Sequence, residues 1–308
     1  MDEFRICPLR PTPRSWIQLI RKHTHGNRDG NAFDTEIAEL VLPVQTGRRN
    51  CRVRQPGKRD VVEDIVSCKA CWLPVKGARV IVNGRSEKAV AEAKEQLRQT
   101  MPDARIEGFA GDLATALATE TLLQRFPLVD ILVNNLGIFE PKSFGDITDE
   151  EWLRFFEVNV LSGVRLSRAY LPGMRQRNWG RIVFISSESA INTPAEMIHY
   201  GMTKTAQLAV SRGLAQSCAG TGVTVNAVLP GPTRSAGVEE FTGQISAGKP
   251  FAEFEQEFFK TYRPSSLLKR FAMTEEVANL VTYVCSPLSA ATNGAALRVD
   301  GGVVQTCF

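Results

Sequence analysis

The chain is expected to fold as an α/β protein, a doubly wound parallel sheet in a single domain, and three observations predict this. Beyond Gly77, strand-like and helix-like segments alternate without a break. The strand-like runs are continuously apolar rather than alternating: ARVIVNG at 78–84, VDILVNN at 129–135, GRIVFISS at 180–187 and VTVNAVLP at 223–230. That is the pattern of strands buried on both faces. Crossovers between such parallel strands are right-handed, which places helices on both sides of the sheet.

The elements follow in order. ARVIVNG is a β-branched run ended by a turn, and SEKAVAEAKEQLRQTM after it has helical periodicity with Ser86 as N-cap. RIEGFAGD at 105–112 precedes a helix around 114–125, then VDILVNN. A long amphipathic stretch runs from Thr148 to about Gln176, opened by a capping box from Thr148 to Glu151. GRIVFISS is followed by a helix over about 199–219, then VTVNAVLP, a variable segment, a helix from Thr274 and GAALRVDGG at 294–302.

Residues 1–76 behave differently. Prolines and arginines are scattered and apolar periodicity is weak. Leu40–Val44 (LVLPV) is a short strand candidate interrupted by Pro43, and Asp60–Ser67 fits either a helix or a strand. The net charge of +4 is also uneven: residues 1–76 hold 14 Lys and Arg against 9 Asp and Glu, whereas residues 77–308 hold 23 against 24. The folded part is therefore nearly neutral, which argues against nucleic-acid binding. No long uncharged apolar run predicts a membrane span, and the N-terminal residues carry no signal-peptide pattern. Seven irregularly spaced cysteines suggest no disulfide framework and a cytoplasmic location. Cys68-x-x-Cys71 has metal or redox spacing but no second pair, and no metal is expected.

The chemistry centres on Ser187, Tyr200 and Lys204. Tyr200 and Lys204 are four apart on a predicted helix and share a face. An ammonium beside a phenol is expected to lower the tyrosine pKa from about 10, making Tyr200 a proton donor to a carbonyl oxygen. Ser187 ends a buried strand, where doubly wound folds place ligands, and its hydroxyl can hold the same oxygen. Taken alone, Tyr-x-x-x-Lys is equally an ordinary surface pair on a helix.

Other motifs agree with it in order and spacing: LVNNLG at 132–137, EVNVLSG at 157–163, HYGMTK at 199–204, VNAVLPGPTRS at 225–235 and NGAALRVDGG at 293–302. Over residues 77–308 the chain resembles the short-chain dehydrogenase/reductase family, a Rossmann-type fold, with Leu136 where the family usually has alanine. Within the family it resembles bacterial oxidoreductases related to 3-oxoacyl-carrier-protein reductases.

The resemblance implies four catalytic positions. Tyr200 is the general acid in reduction and base in oxidation, Lys204 tunes it and bonds the nicotinamide ribose, Ser187 orients the carbonyl, and Asn159 holds a relay water. It also implies cofactor contacts from Asp112 to the adenine, from Asn135 and Gly137 after the fourth strand, and from Pro230, Gly231, Thr233 and Ser235 around the Pro-Gly turn. Read without it, Asn159 is a satisfied buried polar residue and Asp112 a turn residue. Where NAD enzymes carry an acid at the end of the second strand, this chain has Gly84 and then Arg85, a choice suited to a 2′-phosphate, so NADP(H) is expected in preference to NAD(H). The expected activity is hydride transfer between the nicotinamide and a carbonyl or secondary alcohol, with 3-oxoacyl compounds as one substrate class. The alternative is a non-catalytic or cofactor-impaired relative acting as a binding partner. The family's dimers or tetramers form through two long helices, here 148–176 and 199–219.

Two sets of side chains keep open readings. Phe241, Phe251, Phe254, Phe258 and Phe259 are either core or a lid suited to an apolar substrate, and Met197 and His199 either line the pocket or pack. One expected part is missing. The family's Gly-rich turn should lie about 15–20 residues before the second strand, but that stretch reads PGKRDVVEDIVSCKACWLPVKG. The only near match, Gly26-x-x-x-Gly30-x-Ala32, is far too early. Residues before about 76 are thus read either as out-of-frame or wrongly started sequence, or as a true extension with a substitute first strand. The gene's nucleotide sequence separates the two.

Overall fold

The computed structural model describes residues 78–235, 238 and 250–307, and the backbone of 39–43. Contacts divide the chain into Met1–Glu36 and Ile37–Phe308, and every described residue belongs to the second unit. The Cys68–Cys71 pair, the Gly26–Ala32 match, Asp60–Ser67 and Phe241 lie outside the described residues.

A seven-stranded sheet forms the centre. Its strands are β1 (Glu39–Pro43), β2 (Arg79–Gly84), β3 (Ile106–Ala110), β4 (Ile131–Asn134), β5 (Gly180–Ile185), β6 (Val223–Pro230) and β9 (Ala296–Val299). The order is β3-β2-β1-β4-β5-β6-β9 and every pairing is parallel. The short pair β7 (Thr233–Arg234) and β8 (Ala272–Met273) stands apart.

The central place is taken by Glu39–Pro43. It pairs with β2 from Glu39↔Arg79 to Pro43↔Asn83, and with β4 at Leu40↔Ile131 and Val41↔Leu132. Pro43 is the last residue of the strand, so the ladder donor it lacks falls at the end of the ladder rather than inside it. The two half-sheets on either side are thereby joined.

Successive residues of the strands supply opposite faces. Val80 and Val82 of β2 belong to a core under α1 (Glu87–Thr100) and α7 (Thr274–Cys285), while Ile81 belongs to the core under α2 (Ala116–Arg125) and α4 (Ser162–Gln176). All three are at most 1 % exposed. Fully burying one such side chain stabilises the fold by roughly 1.5–3 kcal/mol. The helix starts fall where the sequence places them: Ser86 Oγ accepts from Ala89 N–H at 3.2 Å, and Thr148 and Glu151 form the capping box of α3 (Asp149–Phe156).

The long helix from Thr148 is not uniform. Between α3 and α4 the segment Glu157–Leu161 winds as a π turn. The predicted 199–219 helix is α5 (Ile198–Ser217), and α6 (Phe251–Thr261) follows the segment after β7. Phe254, Phe259 and Phe271 form a small core of their own with Phe251 and Phe258 against it, so the core reading applies to these phenylalanines.

Candidate active site

Every strand-end residue singled out from the sequence lies along one edge of the sheet, the carboxyl ends of the parallel strands. Arg85 is exposed just past β2, and Asp112 just past β3. Asp112 Oδ1 accepts from Ala114 N–H at 3.1 Å, the turn role open to it. Asn135 is buried and Gly137 half-buried beyond β4. Ser187 follows β5; Pro230 ends β6, and Gly231, Thr233 and Ser235 come next. Gly231 packs so closely that a Cβ there would lie 2.4 Å from the carbonyl oxygen of Asp300, which pins the Pro-Gly corner to the end of β9. Thr233 Oγ1 donates to Gly231 O at 2.9 Å and closes the turn.

The centre is built by tying β5 to α5. Ser186 Oγ donates to Lys204 O at 2.8 Å, and Lys204 Nζ donates to Ile185 O at 3.0 Å. With this register, Ser187 and Tyr200 come together, and the serine hydroxyl opposes the rise in the phenol's pKa. Ser187 Oγ also accepts from Ser189 N–H at 3.1 Å as the cap of a single turn, Glu188–Ala190, which fixes its direction. The loop before α5 comes so near the helix that a Cβ on Gly201 would meet Thr193 at 2.4 Å.

Asn159 sits in the π turn at 1 % exposure. Its Oδ1 accepts from Ile138 N–H at 2.7 Å, and its Nδ2 donates to Ile138 O at 3.0 Å and to Thr203 Oγ1 at 2.9 Å. Both amide hydrogens are committed. The asparagine therefore clamps the segment after β4 onto α5, as the satisfied-polar reading anticipates.

The electrostatics overturn one expectation. Lys204 does not lower the pKa of Tyr200. Burial raises the phenol to about 12, against a smaller opposite pull from the Ser187 hydrogen bond. Burial likewise brings the Lys204 ammonium down to about 7. The ammonium lies over the ring, 5.5 Å from its centroid, while its proton goes to Ile185 O. Desolvation of both groups outweighs their attraction.

His199 packs: it is 1 % exposed, with the ring of Phe155 at 4.0 Å and that of Trp152 at 5.9 Å, and burial lowers its pKa. Met197 precedes α5 as a half-buried residue. Three residues at the site went unnoticed in the sequence. Thr203 and Gln207 brace Asn159, Gln207 Nε2 donating to its backbone carbonyl at 2.5 Å. Glu188 is buried beside Ser187 and paired with Arg263 at 2.9 Å. A carboxylate directly after an apolar strand end was the available signal. Among the described residues no cluster of His, Cys, Asp or Glu is arranged to hold a metal, and no helix is long and apolar enough to cross a membrane.

A parallel sheet with a Ser–Tyr–Lys constellation at the carboxyl end of its strands defines a nucleotide-linked oxidoreductase of the doubly wound type. Comparison identifies the family. Residues 67–304 match the family model described as enoyl-(acyl carrier protein) reductase. The uncharacterised oxidoreductase YvaG of Bacillus subtilis is 49% identical over 241 residues, 78% of this chain and 91% of that protein. The 3-oxoacyl-[acyl-carrier-protein] reductase FabG of Aquifex aeolicus is 30% identical over 230 residues, 74% and 88% of the two chains. Among solved structures, L-sorbose reductase from Gluconobacter frateurii, complexed with NADPH and L-sorbose, superposes with a TM-score of 0.76 at 26% identity, covering 88% of this chain and 97% of that one. The chain belongs to the short-chain dehydrogenase/reductase family. The family match begins after β1, so Glu39–Pro43 lies outside it.

Proposed function

We propose that this chain is an NADP(H)-linked reductase of carbonyl compounds, or dehydrogenase of the corresponding secondary alcohols, with 3-oxoacyl compounds among its candidate substrates. The observation that carries the reading is Ser187 beside Tyr200 with Lys204 against the Tyr200 ring, at the carboxyl end of β5. The residues present fit the two ends of a dinucleotide. Arg85 and Asp112 stand at the adenosine end, while Asn135, Gly137, Lys204, Pro230, Gly231, Thr233 and Ser235 stand at the nicotinamide end. The bound nicotinamide supplies or accepts the hydride.

The chain's own groups handle the proton. Tyr200, held protonated at neutral pH by burial, donates from its hydroxyl to the carbonyl oxygen. Ser187 holds that oxygen in place. Lys204 lies against the Tyr200 ring and would hold the nicotinamide ribose of a bound dinucleotide. Asn159 is the proposed holder of a relay water, and with its amide hydrogens spent it offers that water only an acceptor. A cytoplasmic homo-dimer or tetramer is proposed. In support, a groove between α4 and α5 is lined by Val164, Leu171, Pro172, Val210 and Leu214 together with Arg168 and Arg175.

The test is consumption of NADPH and of NADH by the purified chain over a panel of ketones, ketoses and 3-oxoacyl thioesters. Turnover with an NADPH preference supports the reading. Failure across the panel, together with no binding of either cofactor, supports the alternative of a cofactor-impaired binding partner. Arg85→Ala is expected to narrow the preference by about tenfold or more, since a hydrogen bond to a charged group is worth roughly 1.5–3 kcal/mol. Equal affinity of the unaltered chain for NADPH and NADH would refute the cofactor assignment.

A further inference from the structure

Helix α6 ends at Thr261, and two residues later the chain turns inward. Arg263 has only 9% of its side chain exposed. Its Nε donates to Glu188 Oε1 at 2.9 Å, its Nη1 donates to Tyr262 O at 2.8 Å, and the same Nη1 lies 3.7 Å from Glu196 Oε1. Glu188 is the residue after Ser187, and Glu196 lies two residues before the start of α5, which carries Tyr200. One guanidinium therefore contacts both loops that hold the proton-handling hydroxyls, from the end of a helix outside the sheet.

A pair this buried is not explained by stability alone. Taking two charges out of water costs several kcal/mol per ion, and apolar residues of similar volume often do as well or better. Among the described residues Glu188 Oε2 has no hydrogen-bond partner. What the pair does provide is a directional link, because the planar fork of arginine bonds in fixed directions.

We propose that Arg263 is a positioning residue that ties the end of α6 to the loops carrying Ser187 and Tyr200, so that docking of α6 and alignment of the two hydroxyls occur together. The inference rests on the reading of Tyr200 as proton donor and adds to it the residue that sets its surroundings.

The charged groups that face Tyr200 are Lys204 from its own helix, Glu188 from the loop after β5, and Arg263 from beyond α6. Glu188 raises the Tyr200 pKa and Arg263 lowers it. The two single variants should thus act in opposite senses, an outcome that simple loosening of the fold does not produce. The experiment uses the full cofactor-free chain with ¹³C-labelled tyrosine, the Tyr200 signal being assigned by its loss in Tyr200→Phe. In Glu188→Gln the phenolate is expected to form at lower pH than in the unaltered chain. In Arg263→Gln it is expected to be still absent where the unaltered chain is half titrated. In both, amide exchange over Phe251–Thr261 is expected to quicken by about tenfold or more while β5 stays protected. Should Arg263→Gln fail to fold, Arg263→Lys keeps the charge without the fork. It is expected to leave the titration near that of the unaltered chain and still speed exchange in α6. Shifts of the same sign, no shifts, or unchanged exchange in α6 would overturn the proposal. Neither readout needs cofactor or substrate, so a chain that turns over nothing in the carbonyl panel loses the functional reading without deciding this one.

Discussion

Tyr200→Phe is expected to remove turnover, by at least ~10²-fold in kcat/KM, while the unfolding temperature stays within a few degrees of the unaltered chain. The ring remains to pack edge-on against Phe139, with centroids 6.3 Å apart, and only the hydroxyl is lost. Steady-state rates beside a thermal melt check both halves. A phenylalanine variant that keeps its activity would remove Tyr200 from the chemistry. The pH dependence carries a definite sign. With the phenol held up to about 12 by burial, reduction, which needs the protonated form, should not fall as pH rises through neutrality. Oxidation needs the phenolate, whose fraction grows about tenfold for each pH unit below that value. The oxidation-to-reduction ratio should therefore climb steadily between pH 7 and 9.

NADPH is expected to bind at least about tenfold more weakly to this chain than to a version in which residues 1–76 are replaced by a Gly-rich strand–turn–helix. The strand itself is present, since Glu39–Pro43 completes the sheet between β2 and β4. What the sequence after it lacks is a glycine turn: Thr46-Gly47 is followed by Arg48-Arg49-Asn50. Backbone amides that approach a pyrophosphate closely require residues without side chains at those points. The two arginines still attract phosphate, so weakened rather than absent binding is expected. Calorimetry of both proteins with NADPH decides it, and equal affinities would show that the nucleotide site is intact.

Most of the sheet and its helices were legible because strands buried on two faces leave continuous apolar runs, and helix starts leave caps such as Ser86 and Thr148. The same legibility extended to Ser187 and Tyr200, whose elements fix their meeting. It failed in two places for physical reasons. The Tyr200 pKa depends on burial, a property of the packed site rather than of the Tyr-x-x-x-Lys spacing, and the spacing alone suggested the opposite sign. Arg263 pairs with Glu188 across 75 positions of chain, and nothing local to either residue announces the partner. The Pro43-containing strand sat between these cases. Its apolar run was visible, but its role came from the neighbours that flank it.

The π turn at Glu157–Leu161 has a consequence for how this helix can change. One added residue rotates everything beyond it by about 100° relative to an unbroken α-helix. The two halves are phased by that extra residue: α3 presents Phe155 to the interior, and α4 presents Leu166 and Met174. Point substitutions along the surface of the helix leave the phasing alone. A single-residue deletion between Phe156 and Ser162 would instead restore regular winding and swing one half out of step. Either Asn159 would leave Ile138 and Thr203, or the apolar stripe of α4 would turn away from the sheet. Natural or engineered variants of this segment should accordingly differ by exchange of side chains and hold their length.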